Sequence, residues 1–289
     1  MKIGFIGLGI MGSRMASNLL SKGFDLTIYN RNPSKAIDLL QQGAKWADSP
    51  ASLAKDVDVL ITMLAHPEAV EAVAQDDETG FLSTLKQGAI WIDCSTVNPM
   101  FAQRMATLAQ SKGIRFLDAP VAGSKNQAQE AQLIFFVGGE ADDIQQCHSL
   151  FEAMGKLVHH VGGHGMGNAL KLVLNHMLAT SMLAFAEGLV FGESLGLSQE
   201  KLLNTLIGSA VAPPYLAGKR AKIETSNYDT EFPLRWMQKD LQMVSETAFQ
   251  TGVAISSANI AKEIFQLATR YGYGDNDFSA IYAFLKQVK

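Results

Sequence analysis

The chain opens on a short apolar run, Ile3-Gly4-Phe5-Ile6, that passes directly into Gly7-Leu8-Gly9-Ile10-Met11-Gly12 and then into a helical pattern over residues 11–21. Three glycines at this spacing, between a strand and a helix, leave few folds open. The first permits a tight turn, the second lets a phosphate approach the backbone, and the third lets the helix pack closely on the strand. The helix N-terminus also carries partial positive charge, so an anion held by the turn is stabilised there. A glycine-rich turn that packs tightly and binds nothing is the alternative. Inside a βαβ unit the motif instead points to a dinucleotide site built from Gly7, Leu8, Gly9, Ile10, Met11 and Gly12.

The pattern downstream supports that context. To about residue 160, short apolar runs alternate with helical periodicity, the sign of βαβ units and a parallel sheet. Strands are expected at 3–6, 26–29, 57–63, 89–93, 115–118, 133–137 and 156–159, with helices at 11–21, 33–42, 67–73, 99–111 and 141–154. Several of those helices carry Pro in the first turn and Gly just past the end. After Gly162-Gly163-His164-Gly165 the strand signals stop, and the rest reads as helices broken at Pro213-Pro214, around Asn227-Tyr228-Asp229 and at Gly252. The expected fold is α/β: a doubly wound Rossmann-type N-terminal domain over 1–163, then an all-α C-terminal domain over 164–289 that opens with a long helix.

The end of the second strand bears on the cofactor. An acidic residue usually stands there to bond the adenosine ribose, but this chain has Asn30-Arg31. Asn30 removes a charge that would repel a 2′-phosphate, and Arg31 offers a planar fork that pairs with phosphate and stacks on adenine. NADP is therefore favoured over NAD, although a solvated Arg31 with no cofactor preference remains the alternative. Met63 and Leu64, where the strand at 57–63 ends, join the expected cofactor-binding residues.

Three further segments could face the nicotinamide. Asp93-Cys94-Ser95-Thr96 ends a strand, where ligands of open α/β sheets gather. Its hydroxyls either contact nicotinamide or substrate or cap the helix after Asn98-Pro99. Asp118-Ala119-Pro120-Val121-Ala122-Gly123-Ser124 also leaves a strand, and its small residues could let backbone N–H groups converge on a carboxylate; a plain turn is the other reading. The third segment opens the long apolar helix and places Lys171 and Asn175 one turn apart on one face. Burying an ammonium is costly without water, substrate or an acid beside it. Lys171 could donate a proton to a carbonyl oxygen as hydride arrives, with Asn175 fixing its position; a snorkelling lysine is the alternative. Beyond these, Phe232 could form an apolar wall ahead of Lys239-Asp240, a pair that on a helix is normally surface decoration.

Taken in order, the glycine turn, Asp118-Ala119-Pro120-Val121-Ala122-Gly123, the 167–175 segment and Lys239-Asp240 resemble the β-hydroxyacid dehydrogenases along the whole chain. Within that family the sequence is most similar to the glyoxylate and succinic semialdehyde reductases, through Asn30-Arg31, Gly123-Ser124-Lys125 and Phe232. The resemblance implies an NADPH-preferring reductase with Lys171 as catalytic acid and Asn175 as its partner. It also implies that Thr96, Val121, Ala122, Gly123, Phe232 and Asp240 line the substrate site, with Thr96 and Lys239 near the cofactor. Two departures stand out: Ala122 where the family usually has Ser, which removes a hydroxyl contact, and Ala131 where Gly is common.

Three functions follow as expectations. The first is NADPH-dependent reduction of small aldehyde acids such as glyoxylate, succinic semialdehyde or tartronate semialdehyde. The second is NAD-linked oxidation of 3-hydroxyisobutyrate or a similar hydroxy acid, and the third a dinucleotide-binding module without chemistry. Composition narrows the partners: a net charge of -4 supplies no basic field for nucleic acid or anionic membrane. Cys94 and Cys147 are too few for a disulfide framework, which fits a cytoplasmic protein. The apolar stretch 170–191 contains Lys171, Asn175, His176 and Glu187, so a buried helix is expected there rather than a membrane span. No metal is expected, since Lys171 would do the polarising. The long helix and the low charged content of 18% suggest a homodimer or homotetramer.

Overall fold

A computed structural model describes residues 1–288. The chain divides into two compact units, 1–171 and 172–289. The division falls inside the helix Met166–Ser194, eight residues past the boundary expected after residue 163.

The first unit is built on a nine-stranded sheet. Its strands are β1 (Lys2–Ile6), β2 (Asp25–Tyr29), β3 (Lys45–Trp46), β4 (Val59–Thr62), β5 (Ile90–Asp93), β6 (Arg115–Asp118), β7 (Val121–Ala122), β8 (Leu133–Gly138) and β9 (Gly155–Gly162). They run in the order β3-β2-β1-β4-β5-β6-β8-β7, with β9 beside β8. The order 3-2-1-4-5-6 places the direction switch between β1 and β4, where ligands of doubly wound sheets bind at the carboxyl ends of the strands. β1 pairs in parallel with both neighbours, Ile6 lying opposite Tyr29 and Thr62.

Both faces of the sheet are covered, so the bodies of its central strands are apolar, with polar residues such as Thr62, Asp93 and Asp118 gathered at their carboxyl ends. Side chains alternate between faces: Ile90 and Ile92 enter one core cluster while Trp91 between them enters the other. Trp91 is fully buried, edge-on to Phe81 and Phe116 at 4.9 and 4.8 Å between ring centroids. Burial of a ring this size stabilises by roughly 4 to 6 kcal/mol from transfer alone.

The sheet is not parallel throughout, contrary to expectation: β8 runs antiparallel to β6 and β7. The cause is local. Between β6 and β8 lie only the two-residue β7 and the five-residue helix Lys125–Gln129. Such a helix rises about 7.5 Å, too little to return the chain along a strand of about 13 Å and begin a parallel neighbour. The chain doubles back instead, through a turn with Ala131 at φ +52°. That left-handed geometry explains why glycine is at home at this position.

The second unit is helical in its described residues. Its breaks fall where the sequence placed them: a 3-10 helix Pro214–Lys219 follows Pro213, and Gly252 at φ +72° ends the helix Leu234–Thr251. Two charged groups are buried here together, with a third, partly exposed, beside them. Lys219, 6% exposed, meets Asp277 at 3.0 Å and Glu231 at 2.9 Å. Asp277 Oδ2 also accepts from the backbone N–H groups of Glu231 and Phe232, at 3.3 and 3.2 Å. A buried carboxylate with this many donors is compensated for its lost hydration, as it must be.

The helix Met166–Ser194 has 29 residues and is, among those described, the one long and apolar enough to cross a membrane by length and composition. The expectation of a buried helix is met on one face only. Ala179, Met182, Ala186 and Leu189 are buried, whereas Val173, Met177 and Phe191 are exposed. The apolar residues encircle the helix, so periodicity gave no warning of an exposed face.

Candidate active site

The glycine turn leaves β1 at the direction switch, and each glycine has a separate physical reason. Gly7 sits at φ +102°, and a Cβ there would lie 2.3 Å from the Met63 carbonyl oxygen. At Gly12 a Cβ would lie 1.9 Å from the Gly7 oxygen, so the helix Gly12–Ser21 can start this close to β1 only without a side chain. Gly9 is different: nothing lies within 4 Å of where its Cβ would be. Open space at the middle glycine, over a helix start with no side-chain cap and no acidic residue in its first turn, fits a pyrophosphate.

Arg14, which the sequence reading passed over, folds its Nη1 back onto the Ile10 carbonyl at 2.7 Å, and its buried Nε has no hydrogen-bond partner among the described residues. Its signal was a cation two positions past the third glycine. Asn30 turns inward: its Oδ1 accepts from the Leu8 N–H at 2.9 Å and its Nδ2 donates to the Asn32 carbonyl at 2.9 Å. It therefore braces the turn, and Arg31, exposed beside it, is the group free to meet solvent and ligand.

The ends of β4 and β5 are tied by a buried polar network. Trp91 donates to Thr62 Oγ1 at 2.8 Å, Thr62 donates to Asp93 Oδ1 at 2.8 Å, and Ser95 Oγ accepts from the Leu64 N–H at 2.9 Å. Ser95 is thereby used to hold Met63 and Leu64 in place. The cap of the helix Pro99–Ser111 comes from Asn98, whose Oδ1 accepts from Phe101 at 2.7 Å, so neither hydroxyl of Ser95-Thr96 is the cap. Thr96 stands half-buried between these two anchored positions.

Beyond β6 the structure shows what part of the backbone of the candidate carboxylate segment does. Val121 and Ala122 form a two-residue strand paired with Phe135 and Ile134. The left-handed residue comes next, Gly123 at φ +111°, and the Ser124 N–H is taken by Gln127 Oε1 at 2.9 Å. Ladder pairing engages this backbone because β8 folds back alongside it.

Asp118, at the end of β6, is fully buried; its Oδ1 accepts from Gly165 at 2.7 Å and its Oδ2 from Asn168 at 2.9 Å. Asn168 Oδ1 in turn accepts from the Val97 N–H at 2.9 Å. Burial pushes the Asp118 carboxyl up to about 7, with the neighbouring Asp93 adding to the rise and the Gly165 and Asn168 N–H groups opposing it. A group with a higher pKa folded than unfolded stabilises the fold fully below its unfolded value, near pH 4, and that stability is lost as pH rises through about 7. The loss is on the order of 4 kcal/mol. Urea unfolding between pH 4 and 8 should show it as a fall in wild-type stability that is missing in Asp118→Asn; equal slopes in the two proteins would show that this carboxyl does not titrate there.

Lys171, half-buried, is the last residue of the first unit, and Asn175 lies four positions further along the same helix. In the second unit Asn175 is 2% exposed and donates from Nδ2 to Asp240 Oδ2 at 2.5 Å. Asp240 is also 2% exposed, with Lys239 Nζ 3.0 Å from its Oδ1. Lys239-Asp240 is thus no surface decoration. Phe232 is half-buried and packs on Phe278 at 5.8 Å between centroids. The three clustered histidines have structural partners: His160 meets the Gly139 carbonyl, His164 meets that of Phe116, and His159 stacks on Phe136. Among the described residues no group of three His, Cys, Asp or Glu could hold a metal ion.

Known proteins extend these observations. Residues 2–163 match the family model for the NAD binding domain of 6-phosphogluconate dehydrogenase, and residues 165–285 match that for the NAD-binding domain of NADP-dependent 3-hydroxyisobutyrate dehydrogenase. The glyoxylate/succinic semialdehyde reductase 1 of Arabidopsis thaliana is 37% identical over 281 residues, covering 97% of both chains. The chloroplastic reductase 2 of the same plant is 35% identical over 99% of this chain and 80% of its own. Among solved structures, the 3-hydroxyisobutyrate dehydrogenase of Mycobacterium tuberculosis with L-serine is 29% identical, covers 99% of both chains and superposes with a TM-score of 0.88.

Proposed function

Because the chain belongs to the β-hydroxyacid dehydrogenase family of NAD(P)-dependent oxidoreductases, we propose that it is an NADPH-dependent reductase of small aldehyde acids, with glyoxylate, succinic semialdehyde and tartronate semialdehyde as candidates. The observation that carries this reading is the buried Asn175–Asp240 bond on the helix that bears Lys171. An amide locked in this way presents a fixed dipole one helical turn from the ammonium, which fits a proton donor held in one place. The names of the two plant relatives support the substrate class.

In the proposed reaction the nicotinamide, when bound, supplies the hydride. Lys171 donates its proton to the substrate oxygen as charge develops there, and Asn175 holds the lysine in register. Gly9 and the start of the helix Gly12–Ser21 receive the pyrophosphate, Asn30 keeps the turn in shape, and Arg31 meets the 2′-phosphate. Thr96, Val121, Ala122, Gly123, Phe232 and Asp240 contact the substrate, and Met63, Leu64 and Lys239 the cofactor. With alanine at position 122, the carboxylate is held without a hydroxyl from that residue. The proposal extends to a cytoplasmic homodimer or homotetramer, supported by exposed Val173, Met177 and Phe191 on the long helix.

A second reading, NAD-linked oxidation of a 3-hydroxy acid, is favoured by the 29% identity to the mycobacterial dehydrogenase. Initial rates with NADPH and NADH across a panel of aldehyde and hydroxy acids separate the two. In Arg31→Ala, KM for NADPH should rise about 10- to 100-fold, as expected for one charge-assisted phosphate contact, while KM for NADH stays put. A wild type that prefers NADH, or a variant with an unchanged KM for NADPH, would overturn the NADPH assignment.

A further inference from the structure

We infer that Asp118 and Asn168 are a positioning pair for the reaction: Asp118 seats the start of the helix that carries Lys171, and Asn168 ties that start to the loop that carries Thr96. The inference rests on the proposed role of Lys171. An α-helix begins with N–H groups that have no partner within it, and a residue just upstream in sequence normally supplies one. Here the acceptor comes from 47 and 50 positions away, from the last residue of β6, and it is bidentate. The same aspartate opens the Asp118-to-Gly123 segment, so one buried carboxyl joins the proposed carboxylate-binding segment to the proposed proton donor's helix.

The fit around it has no slack. A Cβ on Gly167 would lie 2.2 Å from the Phe136 oxygen and 2.9 Å from Asp118 Oδ2, and one on Gly138 would lie 2.5 Å from Asp118 Oδ1. The first turn of the helix therefore rests directly on the ends of β6 and β8. Asn168, fully buried, adds the tie to Val97, the residue after Thr96. Lys171 follows Asn168 by less than one turn, about 4.5 Å along the axis, so a displacement of the helix start is carried to the ammonium. Misplacement of a reacting group by about 1 Å costs on the order of 100-fold in rate.

A cap that only stabilised the helix would leave the kinetics of folded molecules unchanged, and this sets the test. Asp118→Asn keeps the shape but turns an N–H donor toward one of the two backbone N–H groups. In the full-length protein, amide hydrogen exchange over residues 165–171 should quicken while that of the glycine turn does not. With the aldehyde acid the wild type reduces fastest, kcat should fall about 10- to 100-fold, KM should stay within a few-fold, and NADPH affinity should hold. Unchanged exchange over 165–171 overturns the anchoring. Faster exchange, or a lower Tm, with wild-type kcat overturns the link to catalysis. A wild type inactive on every aldehyde acid would sink the reductase reading instead, and the exchange measurement would still decide the anchor. Should Asp118→Asn not fold, Asn168→Ala serves: it keeps the backbone bonds to Asp118, should expose the Val97 amide to exchange, and should lower kcat about 10-fold. Wild-type exchange and kcat in that variant would overturn the proposal.

Discussion

Alanine in place of Lys171 is expected to lower kcat by about 10²- to 10⁴-fold, the range for loss of a positioned general acid, with NADPH affinity near its wild-type value. The two effects separate because the dinucleotide turn and the lysine lie on different elements: the turn joins β1 to the helix Gly12–Ser21, whereas Lys171 sits in the helix Met166–Ser194. Steady-state turnover with the preferred aldehyde acid, beside a fluorescence titration with NADPH, measures both quantities on one preparation. Turnover in the variant equal to wild type would remove Lys171 from the mechanism. Loss of NADPH binding would make the lysine a cofactor ligand rather than an acid.

A comparably large effect is expected on cofactor binding from Gly12→Ala, and the contrast with Gly9→Ala makes it diagnostic. At position 12 the new methyl would lie 1.9 Å from a backbone oxygen, which cannot rotate away as a side chain could, so the helix must move off β1. Overpacking of this kind costs about 1–3 kcal/mol or more, and the displaced helix start no longer faces the phosphates. Stability and NADPH affinity should therefore fall together, the affinity by about 100-fold or more for a loss of about 3 kcal/mol. At position 9 no protein atom is within 4 Å, so the fold should tolerate the methyl while the pyrophosphate does not. Calorimetry and ligand titration on both variants check this; full NADPH affinity in Gly9→Ala would mean that the phosphates lie elsewhere.

The glycine turn was legible in the sequence because its spacing is local, three positions within six residues between a strand and a helix, even though the atom that Gly7 must avoid, the Met63 oxygen, belongs to a neighbouring strand end. The helical breaks at Pro213 and Gly252 were legible for the same reason. What failed to show was set by distant partners. Asp118 reads in sequence as the first letter of a substrate segment, and nothing near it announces that its oxygens belong to Gly165 and Asn168. Asn30 was read through the charge it lacks, whereas its amide is occupied with Leu8. Lys239-Asp240 looked like a solvated pair because burial of Asp240 depends on a helix that begins far upstream. The antiparallel return of β8 was hidden by strand signals that carry no direction, though the shortness of the helix before it was the available warning.

Phe232 is held by its backbone. The N–H that anchors it goes to Asp277, whose carboxylate is balanced by buried Lys219, and the aromatic ring contributes nothing to that bond. If the ring bounds the substrate, as proposed, the device that fixes where the wall stands is separate from the side chain that decides what the wall excludes. Lineages descending from such a sequence can then exchange residue 232 and drift toward longer or bulkier acids with the scaffold intact, while Lys219 and Asp277 can change only together.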